Sequence, residues 1–251
     1  MVIRDQQMAA FQEYARTAYH RELVARMKEF APQLCRIIGD RGLDSVVGSG
    51  MKRAEKYGFT RRGPIRLFVE LMFRFGSDFD SDPQLPWATR TLTASPHEHE
   101  MARADRLYGE MSAYLERVGG PNSEYAREAL RRLKDALASP PPRFFGPFQE
   151  QALADLHTFY PQKYKYLSDG PLRIVIGSAV DAARTLGIST EPGVALLVGL
   201  KFGFGHGALK DPLYPWIGAA LADESTPDPN DRAKRLCAKT MLYVDDMLLN
   251  V

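Results

Sequence analysis

The sequence predicts an all-α fold built from two copies of one helical unit. Apolar side chains recur with the 3.6-residue period of amphipathic helices, and no alternating strand pattern lasts more than a few residues. The chain has two tryptophans, and each closes the same pattern, in SDPQLPW and in KDPLYPW. Residues 21–118 also align without a gap on residues 150–247, and 27 of these 98 pairs are identical. We therefore interpret the chain as a tandem duplication.

The offset between the copies is 129 residues, whereas solenoid repeats have roughly 20–50 residues. Each copy is then a small domain or one half of a pseudo-symmetric domain, and we expect the copies to pack about a pseudo-two-fold axis. The predicted organisation is a helical repeat at 1–118, a linker helix and Pro-rich linker at 119–149, and a second helical repeat at 150–251. We call the two repeats the first half and the second half.

The first half begins with two amphipathic helices. An apolar face from Met8 to Met27 predicts a long first helix. A second stripe, from Leu43 to Tyr57, predicts the next helix, which ends at Gly58 because glycine readily adopts the left-handed conformation there.

The most apolar helix is expected next, at about 62–76 and again at 191–205, and it should form the centre of each half. Thr60 and Ser189 precede it at equivalent positions and are natural N-caps. A later helix, with Leu107 on its apolar face, completes the unit.

Between the halves, Asn122 or Ser123 can cap a helix whose apolar stripe runs from Tyr125 to Leu137. The three prolines at 140–142 then stop this helix and predict a stiff, extended linker.

The repeated motif Asp-Pro-x-x-Pro-Trp is interpreted as fold-forming. Its first Pro cannot continue a helix, its second Pro suits the first turn of a new short helix, and its Trp can clamp that turn onto the central helix. The motif residues are Asp82, Pro83, Pro86 and Trp87 in the first half and Asp211, Pro212, Pro215 and Trp216 in the second. A repeated binding surface is the alternative interpretation.

An acidic tract leads into the first motif. Asp78, Asp80 and Asp82 stand at the first three ligand offsets of an EF-hand loop, but the sixth and twelfth positions lack the Gly and Glu that calcium binding needs. Only Asp211 remains of these carboxylates in the second half. The tract is either solvated at a helix end or forms an acidic contact patch, and we assign the partner-binding hypothesis to its three aspartates.

Composition and short motifs argue against several function classes. A net charge of +2 gives no electrostatic basis for binding nucleic acid. GFGHG at 203–207 follows no strand, GSG at 48–50 is not a nucleophile elbow, and HEHE at 97–100 lacks a third ligand at useful spacing. Because nothing assembles a nucleophile, a base and an oxyanion hole, we expect no enzyme activity, no cofactor and no metal.

The N-terminus lacks the apolar core of a secretory signal, and no stretch approaches the ~18 apolar residues of a membrane span. Two cysteines, Cys35 and Cys237, fit a reducing compartment. The expected localisation is cytoplasmic, without a membrane partner.

Residues 1–92 resemble a family of small helical proteins encoded beside type VI secretion effector genes, near spike and PAAR tip genes. The match lies in MVIRDQQMAAF, FAPQLC, GLDSVVGSGMKRAEKYGFT and FVELMFRFGSDFDSDPQLPWA. The family pattern starts with Met-x-Ile-Arg-x-x-Gln-Met, continues to Tyr-Gly-Ile-Thr and ends in Met-Phe-x-x-Gly-x-Asp-Phe-Asp-x-Asp-Pro-x-Leu-Pro-Trp. The second half lacks the IRDQQM start and the Asp-Phe-Asp carboxylates.

The resemblance implies an accessory to a secreted toxin. The primary hypothesis is an adaptor or co-chaperone that binds the effector or its chaperone, since a stereotyped first half and a diverged second half suit one constant and one specialised contact. The alternative is a cognate immunity protein that neutralises the toxin by direct binding, with the acidic patch engaging a basic toxin surface or mimicking nucleic acid.

Overall fold

The structure, a computed structural model, describes residues 5–94, 98–139 and 146–249. These ranges are helical without a strand, which confirms the all-α class. The first four residues, His97 and the three prolines at 140–142 lie outside them. None of the described helices combines the length and apolar character that crossing a membrane requires.

Twelve α-helices form the described ranges. Those of the first half are α1 (Asp5–Phe30), α2 (Pro32–Lys56), α3 (Arg62–Phe75), α4 (Pro86–Thr93) and α5 (Glu100–Tyr114). Helix α6 (Glu124–Ala138) follows. The second half contains α7 (Phe148–Phe159), α8 (Pro161–Leu167), α9 (Asp169–Leu186), α10 (Glu191–Phe204), α11 (Pro215–Leu221) and α12 (Pro229–Leu249).

Helix boundaries recur at the offset of the sequence repeat. Helices α3 and α10 have 14 residues each, and their first and last residues lie 129 positions apart. The short helices α4 and α11 begin at Pro86 and Pro215, as the motif predicts, because the fixed φ of proline suits a first helical turn. Gly58 and Gly187 close α2 and α9 with φ of 71° and 73°.

A backbone break also recurs. Gly39 interrupts α2 with φ 68° and ψ 169°, and Ser168, at the equivalent position, separates α8 from α9 with φ 59° and ψ −175°. This conformation is open to glycine but costly for residues with a Cβ. The break therefore strains Ser168 and leaves Gly39 relaxed.

The prediction that Thr60 and Ser189 are N-caps is wrong by one residue. Helices α3 and α10 have their N-caps at positions 61 and 190, and neither cap residue makes a side-chain capping bond. Glu100 instead accepts hydrogen bonds from the backbone N–H of Thr60 (2.6 Å) and of the next residue (3.0 Å). Asn230 does the same for Ser189 (3.0 Å) and its successor (3.1 Å). The start of each central helix is thus held by a helix distant in sequence.

One apolar core extends through both halves. Phe68 and Val69 of α3 and Leu197 of α10 are fully buried, in agreement with the central position predicted for these helices. Burying a side chain of this size stabilises the fold by about 1.5–3 kcal/mol.

Candidate functional site

The two copies of the repeated motif meet between the halves. The Asp82 carboxylate accepts a hydrogen bond from the backbone N–H of His206 (2.8 Å), and the Asp211 carboxylate accepts one from the backbone N–H of Ser77 (2.7 Å). Ser77 and His206 occupy equivalent positions in the alignment, so the contact is reciprocal. Each half thus accepts a backbone hydrogen bond from the other.

Each of these aspartates also closes its own turn. Asp82 accepts from the backbone N–H of Gln84 (2.8 Å), and Asp211 accepts from that of Leu213 (2.9 Å). Such turns are typical of Asp followed by Pro. Burial raises the pKa of Asp211, while hydrogen bonds from Ser77 and Leu213 oppose this effect.

Two glycines allow the motif loops to approach each other. Gly76 and Gly205 have φ of 100° and 99°. A Cβ on Gly76 would lie 2.8 Å from the carbonyl oxygen of Phe204, and a Cβ on Gly205 would lie 2.8 Å from that of Phe75. Both the backbone conformation and the available space therefore require glycine at these positions.

The motif tryptophans pack on equivalent aromatic residues. The Trp87 ring lies 5.8 Å from Phe75 and 6.0 Å from Tyr114, and Trp216 lies 5.2 Å from Tyr243, the counterpart of Tyr114. Trp87 is fully buried, whereas Trp216 is only partly buried. The two rings therefore lie at equivalent places, and Trp216 is less completely buried than Trp87.

The three carboxylates of the acidic tract do not form one exposed patch. Asp82 is buried between the halves, and Asp80 is buried against the Arg53 guanidinium and the Tyr57 hydroxyl (3.0 Å). Only Asp78 has a substantially exposed side chain (45%), and it also contacts Arg53 (3.0 Å). The patch hypothesis is therefore corrected for Asp80 and Asp82, whose carboxylates already have partners inside the protein.

Sequence reasoning missed Arg53 and Tyr57 as the partners of Asp80. The signal lay in the comparison of the halves, because all four polar positions change together. The second half has Ala182 for Arg53, Leu186 for Tyr57, Gly207 for Asp78 and Leu209 for Asp80. A complete polar network and an apolar cluster are alternative solutions for one site, whereas a partial network is unfavourable.

The second half contains a buried lysine, which lies close to Asp82 of the first half. Lys163 of α8 donates a hydrogen bond from Nζ to the carbonyl oxygen of Phe202 (2.5 Å), and its Nζ lies 4.4 Å from the centre of the Phe202 ring. Burial lowers the pKa of Lys163 to about 8, although the charge of Asp82 opposes this shift. Leu34 stands at the equivalent position of the first half and is also buried.

Helix α6 fills a groove of the second half, which we call the covered groove. Its walls are α7, α10 and α12, and α6 contributes Leu133 and Leu137 to the lining. The free volume left beneath α6 is about 100 Å³. The segment 119–149 is thus more than a linker, because its helix is part of the packing of the second half.

The equivalent groove of the first half has no such cover, and we call it the open groove. Its walls are α1, α3 and α5, and its volume is about 420 Å³. Apart from Leu115, which directly follows α5, no residue of another described helix lines it. The open groove is lined by Phe30, Leu67, Glu70, Arg74, Tyr108, Met111, Ser112 and Leu115. The counterparts of five of these residues line the covered groove, namely Phe159, Leu196, Gly199, Cys237 and Thr240.

The beginning of α1 is a second uncovered apolar surface. The exposed fractions of Met8, Phe11 and Tyr14 are 46%, 66% and 76%. Clustered exposure of large apolar side chains marks sites of protein contact, whereas isolated exposed residues are common on any surface.

In the described ranges, no three His, Cys, Asp or Glu side chains are grouped so as to hold a metal ion. Comparisons with protein-family models, with curated proteins and with solved structures find no match to this chain.

Proposed function

We propose that this chain is a non-enzymatic binding protein that acts as an adaptor or co-chaperone for a secreted effector toxin or its chaperone. The open groove carries this proposal, because the equivalent surface of the second half is closed by a helix of the chain itself. An apolar groove left open on one copy of a repeated unit is suited to a protein partner. The resemblance of residues 1–92 to accessory proteins of type VI secretion loci supplies the class of partner.

A tandem duplication packed about a pseudo-two-fold axis is the architecture that we infer for this binding protein. It is supported by the common offset of the helix boundaries, by the equivalent backbone angles at Gly76 and Gly205, and by the reciprocal hydrogen bonds of Asp82 and Asp211. In this architecture the first half provides the open groove. The second half, with its covered groove, packs against the first half and supports it.

Co-expression with the effector and the chaperone encoded beside its gene tests the function. We expect a complex that survives size-exclusion chromatography and that is lost in Met111→Glu, which places a charge in the open groove. Leu242→Glu is the matched control, because Leu242 is a 71% exposed leucine of the second half. Equal binding by the parent and Met111→Glu would exclude the open groove as the contact.

Cells that produce the toxin with and without this protein distinguish the adaptor hypothesis from the immunity hypothesis. An adaptor is expected to be needed for delivery of the toxin into target cells and to leave toxin activity unchanged. Protection of cells that produce the toxin internally would instead identify an immunity protein.

A further inference from the structure

We propose that the open groove binds an acidic amphipathic helix of the protein partner. The inference rests on the proposed function and adds the kind of segment that is bound. Its first support is the covered groove, where α6 shows that these walls accept a helix. Leu133 of α6 packs within 3.7 Å of the position that a Cβ on Gly199 would occupy.

The apolar pattern of α6 indicates the spacing that a bound helix needs. Its stripe repeats every three or four residues, the pattern of a helix bound in a groove. The stripe consists of Ala126, Leu130, Leu133 and Leu137, which are all partly buried.

The charges of α6 complement those of the covered groove. The walls of that groove carry Asp155 and Asp245. Lys134 of α6 pairs with Asp245 (2.6 Å), and Arg132 donates to the carbonyl oxygen of Thr158 (3.3 Å). A wall with carboxylates is thus covered by a helix that presents basic side chains.

The open groove carries the opposite charge. Arg26 replaces Asp155 in the alignment, and Arg26 and Arg66 both lie near the Glu70 carboxylate (3.5 and 3.8 Å). Arg74 stacks over Phe30 at 5.3 Å and has no carboxylate partner within the described ranges. Arg26 also pairs with Glu29 (3.4 Å), so three arginines stand beside two glutamates. This excess of positive charge favours a helix with acidic side chains.

A second copy of this chain is the competing occupant, because the start of α1 is exposed. Its stripe runs through Met8, Phe11, Ala15 and Ala18. This stripe thus has alanines at the positions where the stripe of α6 has leucines, so it offers smaller apolar side chains to the groove. Of the charged side chains described in this segment, Arg16 pairs with Glu55 of α2 (3.0 Å), so Glu13 alone remains to face the groove. One carboxylate supplies less acidic charge than the arginines of the groove favour.

Two fluorescent peptides test the proposal on the full-length protein. One has the sequence of residues 122–139, and the other is its acidic variant with Arg127→Glu, Arg131→Glu and Lys134→Glu. In fluorescence anisotropy at low salt, the acidic peptide should bind saturably and about tenfold or more tighter than the unchanged peptide. Its affinity should decrease as salt increases.

Variants of the groove give the decisive comparison. Arg74→Glu should weaken binding of the acidic peptide and strengthen binding of the unchanged one. The preference between the peptides is then reversed without a change in the apolar walls. Met111→Glu should abolish binding of both peptides, and Leu242→Glu should change neither. The absence of saturable binding, or binding that is indifferent to Arg74→Glu and Met111→Glu, would overturn the proposal.

Sedimentation velocity tests the competing occupant. If the protein forms a dimer that Phe11→Glu and Met111→Glu both dissociate, the groove belongs to a second copy and the proposal is wrong. If the peptides fail while the effector complex is still lost in Met111→Glu, the proposed function stands and the bound segment is not an acidic helix.

Discussion

At Ser168 the backbone adopts a conformation that is unfavourable for a residue with a Cβ. Gly39 has the same conformation at the equivalent position, and no heavy atom lies within 4 Å of the point where its Cβ would be. A side chain at position 39 would therefore meet no steric obstacle, and its cost there is that of the backbone conformation. Strain of this kind costs of order 1–3 kcal/mol per residue.

Exchanging the residue type at these two sites should have opposite effects. Ser168→Gly should raise the free energy of unfolding by about 1 kcal/mol, because the relief of strain exceeds the added entropy of the unfolded chain. Gly39→Ser should lower it by about 1–3 kcal/mol. Urea denaturation measures both changes, and a neutral Gly39→Ser variant would show that the conformation carries no such cost.

Lys163 makes stability depend on pH in the alkaline range. Burial lowers its pKa from 10.5 to about 8 in the folded state, so between these values the unfolded chain binds more protons. The contribution of Lys163 to stability is therefore complete above the unfolded pKa and is lost as pH falls through the folded pKa. At neutral pH, burial of the charge costs about 3 kcal/mol.

Lys163→Met should remove this dependence. The difference in free energy of unfolding between Lys163→Met and the parent should shift by about 3 kcal/mol in favour of the parent between pH 7 and pH 10.5. Lys165→Met is the matched control, because Lys165 is an exposed residue of the same helix. A constant difference across this range would mean that Lys163 titrates normally in the folded protein.

At the scale of elements, the network of Arg53, Tyr57 and Asp80 fastens the loop after α3 to the end of α2. The Arg53 guanidinium also donates to the carbonyl oxygen of Ser77 (2.6 Å), and the Thr89 hydroxyl donates to that of Asp80 (2.8 Å). One arginine thus orders a loop that continues into the contact between the halves.

Replacing the network piecemeal or completely should give different results. Asp80→Leu alone should cost about 2–3 kcal/mol, because it leaves Arg53 and Tyr57 without their acceptor. Adding Arg53→Ala, Tyr57→Leu and Asp78→Gly gives the first half the residues that the second half has at these positions. This quadruple variant should recover most of the free energy of unfolding lost in Asp80→Leu. Chemical denaturation checks both variants, and an equally unstable quadruple variant would show that the halves do not share this site.

The same elements show what the sequence could predict. The start of α4 and α11 at proline, the glycine after α2, and the apolar α3 and α10 follow from local chemistry, so spacing alone predicts them. The caps from Glu100 and Asn230 could not be predicted, because they act across about 40 residues. The burial of Asp80 could not be predicted for the same reason: its position after a helix is visible in the sequence, but its pairing with Arg53 depends on tertiary packing.

At the scale of the whole molecule, the buried aspartates couple the two halves. Asp82 and Asp211 accept from backbone groups of the opposite half, and the glycines that bring the loops together tolerate no Cβ. Apolar contacts extend the coupling, since Tyr114 packs on Tyr166 at 5.1 Å. We therefore expect the parent chain to unfold in one cooperative transition.

The two tryptophans allow this coupling to be measured, because each half contains one of them. In the single-tryptophan variants Trp87→Phe and Trp216→Phe, fluorescence reports the second and the first half respectively. In each variant, the denaturant midpoint measured by fluorescence should equal the midpoint measured by circular dichroism, since the halves unfold together.

Adding Asp82→Ala and Asp211→Ala to both variants should separate the transitions. Each substitution leaves one backbone N–H of the opposite half and one of its own turn without an acceptor, at about 1–3 kcal/mol per group. The bonds across the contact are lost together with those inside each turn, so both the coupling and the stability of each half decrease. The less stable half should then unfold at lower denaturant while the other remains folded. Coincident midpoints despite an overall loss of stability would contradict this, and would assign the coupling to apolar contacts such as Tyr114 on Tyr166.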